Sequence, residues 1–149
     1  MRISGEWLAC DDGIVRPVIR AEVLARDGIW RSAELLLDTG ADRTMLSAHV
    51  LDCLRLPSTV MQDRIGGVGG SVESVAVKTR IRMPQDDGTY AVFRGEFAAC
   101  VDHEALDMSV LGRDILDMFA VIVDRPGELV AVIGGQHHYA LQTREGDKQ

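Results

Sequence analysis

Apolar and polar residues alternate with a period of two over much of the chain. Between residues 75 and 83 the odd positions are mostly aliphatic and the even positions are mostly Lys or Arg. This alternation is typical of a strand with one buried face. A polar turn, Gln85-Asp86-Asp87-Gly88, separates it from a second such segment at 90–101, which predicts a hairpin. Two further hairpins are predicted, from 14–25 with 29–37 and from 119–124 with 128–133.

Only two segments have a helical pattern. One is short, at 47–54, with Ser47 as its N-cap. The other runs from Arg113 to Phe119 and places Ile115, Leu116 and Phe119 on one face. Residues 134–149 show little periodicity and are predicted to form a tail or an edge element. The pattern predicts a single, mainly β domain over 1–149, with its core at about 14–133.

Composition restricts the possible partners. The chain has 149 residues, 46% of them apolar, and 23 acidic against 16 basic residues give a net charge of −7. This balance opposes a nucleic-acid or anionic-membrane partner, since both require a basic face. No apolar run reaches the length of a membrane span, and Glu6 and Asp11-Asp12 interrupt any signal-peptide core. We therefore expect a soluble, cytoplasmic protein.

Cysteine and histidine give no metal-binding pattern. Cys10, Cys53 and Cys100 cannot all pair within one chain, and none has the spacing of a zinc or redox site. They are expected to be small buried hydrophobic residues. His137-His138 has no matching Cys/His cluster and is expected to belong to a polar tail. No metal and no cofactor are predicted.

The sequence is most informative at Leu35-Leu36-Leu37-Asp38-Thr39-Gly40, where an apolar strand runs directly into a carboxylate. Such a carboxylate is costly unless it is paired, shared or hydrogen-bonded. Gly40 permits a sharp turn that brings its N–H close to the carboxylate, and Thr39 adds a hydroxyl beside it. A lone Asp-Thr-Gly is weak evidence, because clusters of this kind are usually turns.

Two later segments strengthen the case. Ile65-Gly66-Gly67-Val68-Gly69-Gly70 is centred 30 residues after Asp38 and is flanked by strand-like sequence, which fits either a flexible hairpin tip over a ligand or a plain glycine-rich turn. It lacks the Lys-Ser/Thr of a phosphate-binding loop. Leu111-Gly112-Arg113-Asp114 alone would indicate a strand-to-helix junction with Asp114 near the helix start.

Together these segments resemble the retropepsin family, the retroviral-type aspartic proteases. The resemblance covers residues 16–124. Asp38-Thr39-Gly40-Ala41-Asp42 matches the catalytic loop of the family, and residues 65–70 match its flap. Leu111 to Asp114 match the stretch before the C-terminal helix, and Arg16-Pro17 matches the entry to the first core strand. It implies a small closed β-barrel-like fold with a glycine-rich flap hairpin and one short C-terminal helix.

The resemblance also implies an aspartic endopeptidase that acts by direct water attack on an extended polypeptide substrate. Two neighbouring carboxylates would share one proton and act as base and acid. The chain has one Asp-Thr-Gly and is too short for a two-lobed enzyme, so the second carboxylate is expected from Asp38 of another copy. The expected assembly is a symmetric homodimer.

The resemblance assigns roles residue by residue. Asp38, Thr39 and Gly40 form the catalytic loop, in which Asp38 is the acid/base and Thr39 bonds across to the partner loop. Arg113 and Arg16 are expected to pair with Asp42, Arg113 within the subunit and Arg16 from the neighbour. The residues expected to bind substrate are Leu36, Ala41, Asp42, Met45, Ile65, Gly66, Gly67 and Val68, and those expected to support the site or the dimer are Arg16, Arg113 and Asp114.

Some features depart from the family or leave alternatives open. Ala41 cannot donate a hydrogen bond to the acid pair as a Ser would, which predicts activity reaching mildly acidic or near-neutral pH. Arg43 replaces an acidic residue of some members and is expected to favour acidic side chains nearby. Residues 128–133 could supply the terminal dimer strand, whereas 134–149 has no counterpart.

The main alternative function is a retropepsin-like dimerisation or peptide-binding module with weak or no cleavage. A small β-barrel ligand carrier is a more distant alternative.

Overall fold

The computed structural model describes residues 1–61, 65–67 and 70–142, with only the backbone described at 65–67 and 70–72. Its elements in chain order are β1 (Arg2–Ser4), β2 (Glu6–Ala9), β3 (Val15–Leu24), β4 (Trp30–Leu37), β5 (Met45–Leu46), α1 (Ala48–Leu54), β6 (Ser58–Val60), β7 (Ile65–Gly67), β8 (Gly70–Val72), β9 (Ser74–Pro84), β10 (Tyr90–Cys100), β11 (Ser109–Leu111), α2 (Arg113–Leu116), β12 (Phe119–Asp124) and β13 (Leu129–Gly134).

Six strands close into a barrel in the order β3-β4-β11-β5-β10-β9, because β9 also pairs with β3. Strands β2 and β6 extend this sheet beyond the barrel. Alternate side chains point inward, and Ile19, Leu35, Val77, Ile81 and Leu111 are completely buried there. The predicted mainly β, barrel-like fold is confirmed.

The three predicted hairpins form as antiparallel pairs, β3 with β4, β9 with β10 and β12 with β13. Two of their turns have the same chemistry. In the β3–β4 turn the Asp27 carboxylate accepts from the Ile29 N–H at 3.0 Å, and Gly28 takes a φ of +80°. In the β9–β10 turn the Asp87 carboxylate accepts from the Thr89 N–H at 2.9 Å, and Gly88 takes a φ of +86°. An Asp side chain that mimics a backbone acceptor, followed by glycine, makes these turns predictable from sequence.

A second, three-stranded sheet has the order β1-β13-β12. Its inner face adds Ile3, Val130 and Val132 to the barrel core. The Trp7 indole N–H donates to the Asp124 carbonyl at 3.2 Å and ties β2 to the end of β12. Strand β1 was not predicted, because three residues carry too little periodicity to indicate a strand.

Helix α1 matches its prediction, with the Ser47 hydroxyl accepting from the Val50 N–H at 3.4 Å. The predicted second helix is too long: α2 ends at Leu116 rather than Phe119. Ile115 and Leu116 are buried as expected. Phe119 instead begins β12, where it lies opposite Gly134, so strand pairing ends the helix early.

The expectation of buried cysteines holds only for Cys100; Cys10 is half-buried and Cys53 is exposed, since it falls on the outer side of α1. Residues 135–142 have no regular structure, and Tyr139 and Leu141 are exposed there. Residues 143–149 of the predicted tail lie outside the described residues. Among the residues that the structure describes, no helix has the length and apolar character to cross a membrane.

Candidate active site

The loop of residues 38–42, which follows β4, is held by the segment that joins β11 to α2. The Asp38 N–H donates to the Leu111 carbonyl at 3.2 Å. The Arg113 N–H donates to the Ala41 carbonyl at 2.8 Å, and the Asp114 N–H donates to the Asp42 carbonyl at 3.1 Å. Two segments that are 75 residues apart in sequence therefore form one backbone unit.

The Asp38 carboxylate is fixed from within its own loop. Its Oδ1 accepts from the Gly40 N–H at 2.9 Å, and its carbonyl accepts from the Ala41 N–H at 3.1 Å. A Cβ on residue 40 would lie 3.2 Å from this Oδ1, so glycine permits the close approach. Asp38 is half-buried, whereas Thr39 and Gly40 are exposed, so the end of the loop is open to a partner.

Behind the loop, a small hydrogen-bond network centres on the buried Thr44, which sequence reasoning missed. Its hydroxyl donates to Asp114 Oδ1 at 2.7 Å and accepts from the Gly112 N–H at 3.1 Å. The same Oδ1 accepts from the N–H groups of Thr44 at 2.8 Å and Ile115 at 3.0 Å. A Cβ on Gly112 would overlap the Arg43 carbonyl group, so the junction requires glycine. Asp114 thus fixes the position of Thr44 behind the loop.

The two arginines expected near Asp42 differ in their partners. The Arg113 guanidinium forms an ion pair with Asp42, and the two side chains are 49% and 79% exposed. The Arg16 guanidinium forms a bidentate pair with Asp12, with N–O distances of 2.9 and 2.7 Å. This hydrogen-bonded arginine, together with the Ile14 N–H, lowers the pKa of Asp12 to about 2. A contact between Arg16 and Asp42 of a second copy stays a prediction, and it would have to compete with Asp12.

An apolar row crosses the outer face of the barrel beside Asp38. Leu36 lies opposite Val110, and Val110 lies opposite Met45, so the three side chains share one face. Leu36 and Val110 are half-buried, while Met45 is 6% exposed and packs with Ala98 and Cys100. Leu36 and Met45 were expected from sequence. Val110 was missed, because Ser109-Val110-Leu111 has no alternation of polar and apolar residues that would mark Val110 as outward-facing.

The predicted glycine-rich hairpin begins next to this row. Strand β7 pairs with β8 in the register Ile65 to Val72, Gly66 to Ser71 and Gly67 to Gly70. At its base the Met61 N–H donates to the Ser74 carbonyl at 3.3 Å, and the Met61 side chain packs against the Met45 cluster. Val68, the expected tip residue, lies outside the described residues.

No group of three or more His, Cys, Asp or Glu side chains in the described ranges is arranged to hold a metal ion. The chemistry available at the site is that of a carboxylate set in a backbone loop beside an apolar strip.

Comparisons with known proteins identify the family and the fold. The sequence profile described as retroviral aspartyl protease matches residues 15–123. The chain is similar to EIAV protease complexed with the inhibitor HBY-793, with 28% identity and a TM-score of 0.51 over 68% of this chain and 86% of that one. It is also similar to a retropepsin-like aspartic protease from Rickettsia conorii, with a TM-score of 0.52 over 89% of this chain and 88% of that one; at 17% identity this likeness concerns the fold alone. No curated protein matches the chain.

Proposed function

Because the chain belongs to the retroviral aspartyl protease family, we propose that it is an aspartic endopeptidase whose catalytic centre forms when two copies bring their Asp38 carboxylates together. The observation that carries the proposal is the loop of Asp38, Thr39 and Gly40, anchored from behind by residues 111–114 and open in front. A reactive group needs such a rigid support if it is to meet its symmetry mate in a fixed geometry.

The proposed chemistry uses one proton shared by two carboxylates. Two carboxylates about 3 Å apart cannot both ionise, so one is charged and the other is protonated. The charged one takes a proton from water as the water oxygen attacks the peptide carbonyl carbon, and the protonated one gives its proton to the carbonyl oxygen. When the resulting gem-diol collapses, the C–N bond breaks, the leaving nitrogen receives a proton from the protonated carboxyl group, and the charged carboxylate takes a proton from one gem-diol hydroxyl, which restores the singly protonated acid pair.

The exposed loop supports a catalytic centre shared by two copies. One chain contributes one Asp-Thr-Gly, and a lone carboxylate cannot act as base and acid at once. In the proposed dimer each Thr39 hydroxyl bonds across to the opposite loop and keeps the two acids coplanar. In the proposed complex the Gly40 carbonyl and Asp42, which is ion-paired with Arg113, bind the substrate backbone.

The apolar row supports an extended polypeptide substrate with hydrophobic side chains at the cleavage site. The half-buried Leu36 and Val110 provide an apolar floor next to the almost completely buried Met45, and an extended chain presents alternate side chains to it. We propose that the hairpin of 65–70, through Ile65, Gly66, Gly67 and Val68, closes over the bound chain. Ala41, with no hydroxyl to donate, is expected to allow activity at mildly acidic to near-neutral pH.

The alternative is a dimerisation or peptide-binding module of the same family with weak or no cleavage. The intact Asp38 loop and its support favour the enzyme, because a binding module has no need for a carboxylate held in this way.

The variant Asp38→Asn tests the proposal. Asparagine keeps the size and the hydrogen bond from Gly40 but cannot accept and return a proton, so cleavage of a peptide library is expected to fall by about 10³-fold or more. Asp11→Asn is the control, since Asp11 is exposed and lies outside the site. Equal cleavage by both variants would overturn the proposal. An unmodified protein that binds peptides without cleaving any would establish the binding module instead.

A further inference from the structure

Arginines in the described part of the chain mostly have partners. Those paired with a carboxylate are Arg2, Arg16, Arg20, Arg31, Arg82 and Arg113, and Arg125 lies over the Trp7 ring. Such pairing is expected for a protein with an excess of acidic residues. The Lys and Arg side chains of the described residues that have neither an ion pair nor a ring contact are Arg26, Arg43, Arg55, Lys78, Arg80 and Arg94, and four of these six lie together.

Four exposed cations line one groove at the β9–β10 hairpin: Arg26, Lys78, Arg80 and Arg94. We name it the basic groove. Leu24 and Leu56 also line it, and Glu96 is the one carboxylate among its lining residues. Among the described residues none of the four cations forms an ion pair.

The arrangement opposes folding rather than assisting it. Arg80 and Arg94 lie directly opposite each other in the β9–β10 register, and like charges at such positions destabilise a sheet. Lys78 is on the same strand face as Arg80, two residues away, and lies opposite Glu96. A cost of this kind, in a chain whose net charge is −7, indicates a ligand that neutralises the cations.

We propose that the basic groove binds an acidic polypeptide segment in extended conformation. Lys78 and Arg80 are spaced by two residues of one strand, roughly 6.6 Å, and alternate residues of an extended peptide have the same spacing. Carboxylates in the pattern acidic-x-acidic therefore match these two cations, and Arg94 provides a third contact beside them. The net charge of −7 repels any anion at long range, and a polynucleotide carries far more charge outside the groove than a short acidic peptide does, so the short peptide fits better.

The basic groove is remote from Asp38. Arg26 lies in the turn before β4 and Asp38 directly follows β4, and this strand of eight residues spans roughly 26 Å. The groove is thus a second binding site at the opposite end of the strand, and its occupancy does not depend on the chain being a protease.

Binding of a fluorescein-labelled Glu-Ser-Glu-Ser-Glu-Ser peptide, followed by fluorescence anisotropy, tests the proposal. The neutral peptide Gln-Ser-Gln-Ser-Gln-Ser is the ligand control. The double variant Arg80→Gln/Arg94→Gln is expected to weaken the acidic peptide by about ten-fold or more, whereas Arg2→Gln/Arg20→Gln, which loses the same charge elsewhere, changes it by less than about two-fold.

Arg26→Gln/Lys78→Gln is the second test variant should the first fail to fold, as monitored by circular dichroism. Equal binding of the two peptides, equal weakening by the Arg2/Arg20 control, or no effect of either groove variant would overturn the proposal. Tighter binding of a labelled oligothymidylate than of the acidic peptide, lost in the groove variants, would also overturn it and make the groove a nucleic-acid site.

Discussion

The hydroxyl of Thr44 connects the two segments that build the candidate site, since it donates to Asp114 and accepts from Gly112. Replacing Thr44 with Val keeps the shape of the side chain but leaves the Gly112 N–H and one contact of the Asp114 carboxylate without a partner. Gly112 is buried, so its unpartnered N–H costs about 1–3 kcal/mol of unfolding free energy, whereas Asp114 is exposed and water can replace its lost contact. Urea denaturation measures this loss, and peptide cleavage is expected to fall with it.

Thr44→Ser is the matched control, because serine restores the hydroxyl and removes only a methyl group. Its unfolding free energy is expected to lie much closer to that of the unmodified protein. If the Val variant were as stable as the Ser variant, the hydroxyl would have no role in holding the loop.

The lowered pKa of Asp12, a single residue, predicts how the stability of the protein depends on pH. Its pKa is lowered from 3.8 to about 2, chiefly by the hydrogen-bonded Arg16 guanidinium. A lowered pKa means that the folded state favours the ionised form, so this contribution to stability is complete above about pH 4 and is lost as the pH falls through about 2. Carbon-detected NMR titration of the Asp12 carboxyl is expected to give a midpoint near pH 2. In Arg16→Gln the midpoint is expected to rise toward 3.8; an unchanged midpoint would show that Arg16 is not the cause.

Residues of the site differ in how far sequence could predict them. Asp38, Thr39 and Gly40 are contiguous, and their chemistry is local, so the motif indicates them directly. Val110 and Thr44 have their roles only because β11 lies between β4 and β5, which brings together positions more than 60 residues apart. No local pattern specifies that register.

Among the elements, the long hairpins were predictable because alternation and an Asp-Gly turn occur within one stretch of sequence. Strands β1, β5 and β6 have two or three residues each and are defined by their partners rather than by their own pattern. The end of α2 was mispredicted because Phe119 pairs with Gly134 of β13, a contact that the local sequence pattern does not show.

Gly5 joins β1 of the terminal sheet to β2 beside the barrel, and it tests how closely these elements pack. A Cβ there would overlap the Val18 carbonyl oxygen and lie 2.7 Å from Val130 Cγ1 and 2.8 Å from Ile19 Cδ1. Gly5→Ala is therefore expected to lower the unfolding free energy by about 1–3 kcal/mol, as overpacking does in cores. Gly95→Ala is the control, because its Cβ would meet only Phe97 at 3.7 Å. Thermal melts of the two variants that coincide would contradict the close packing at Gly5.

At the scale of the whole molecule, the pairing of the terminal strands determines whether they are free to pair with a second copy in a dimer. Strand β1 pairs with β13 of the same chain, in the register Arg2 to Ile133 and Ser4 to Ala131. The prediction that residues 128–133 form a strand is confirmed, but this strand already has partners on both sides, β1 and β12. Because these terminal strands pair within one chain, we expect the chain to fold without a second copy.

Folding and activity should therefore separate on dilution. If the centre is built from two Asp38 carboxylates, the activity per chain falls once the protein concentration passes below the dissociation constant of the dimer, as mass action requires. Because β1, β12 and β13 pair within one chain, the far-ultraviolet circular dichroism and the melting temperature are expected to stay constant over the same range. Sedimentation velocity at each concentration identifies the species present. Activity that stays proportional to protein concentration in samples that sediment as monomers would rule out a shared centre. Loss of the circular dichroism signal together with the activity would show that the fold itself requires the second copy.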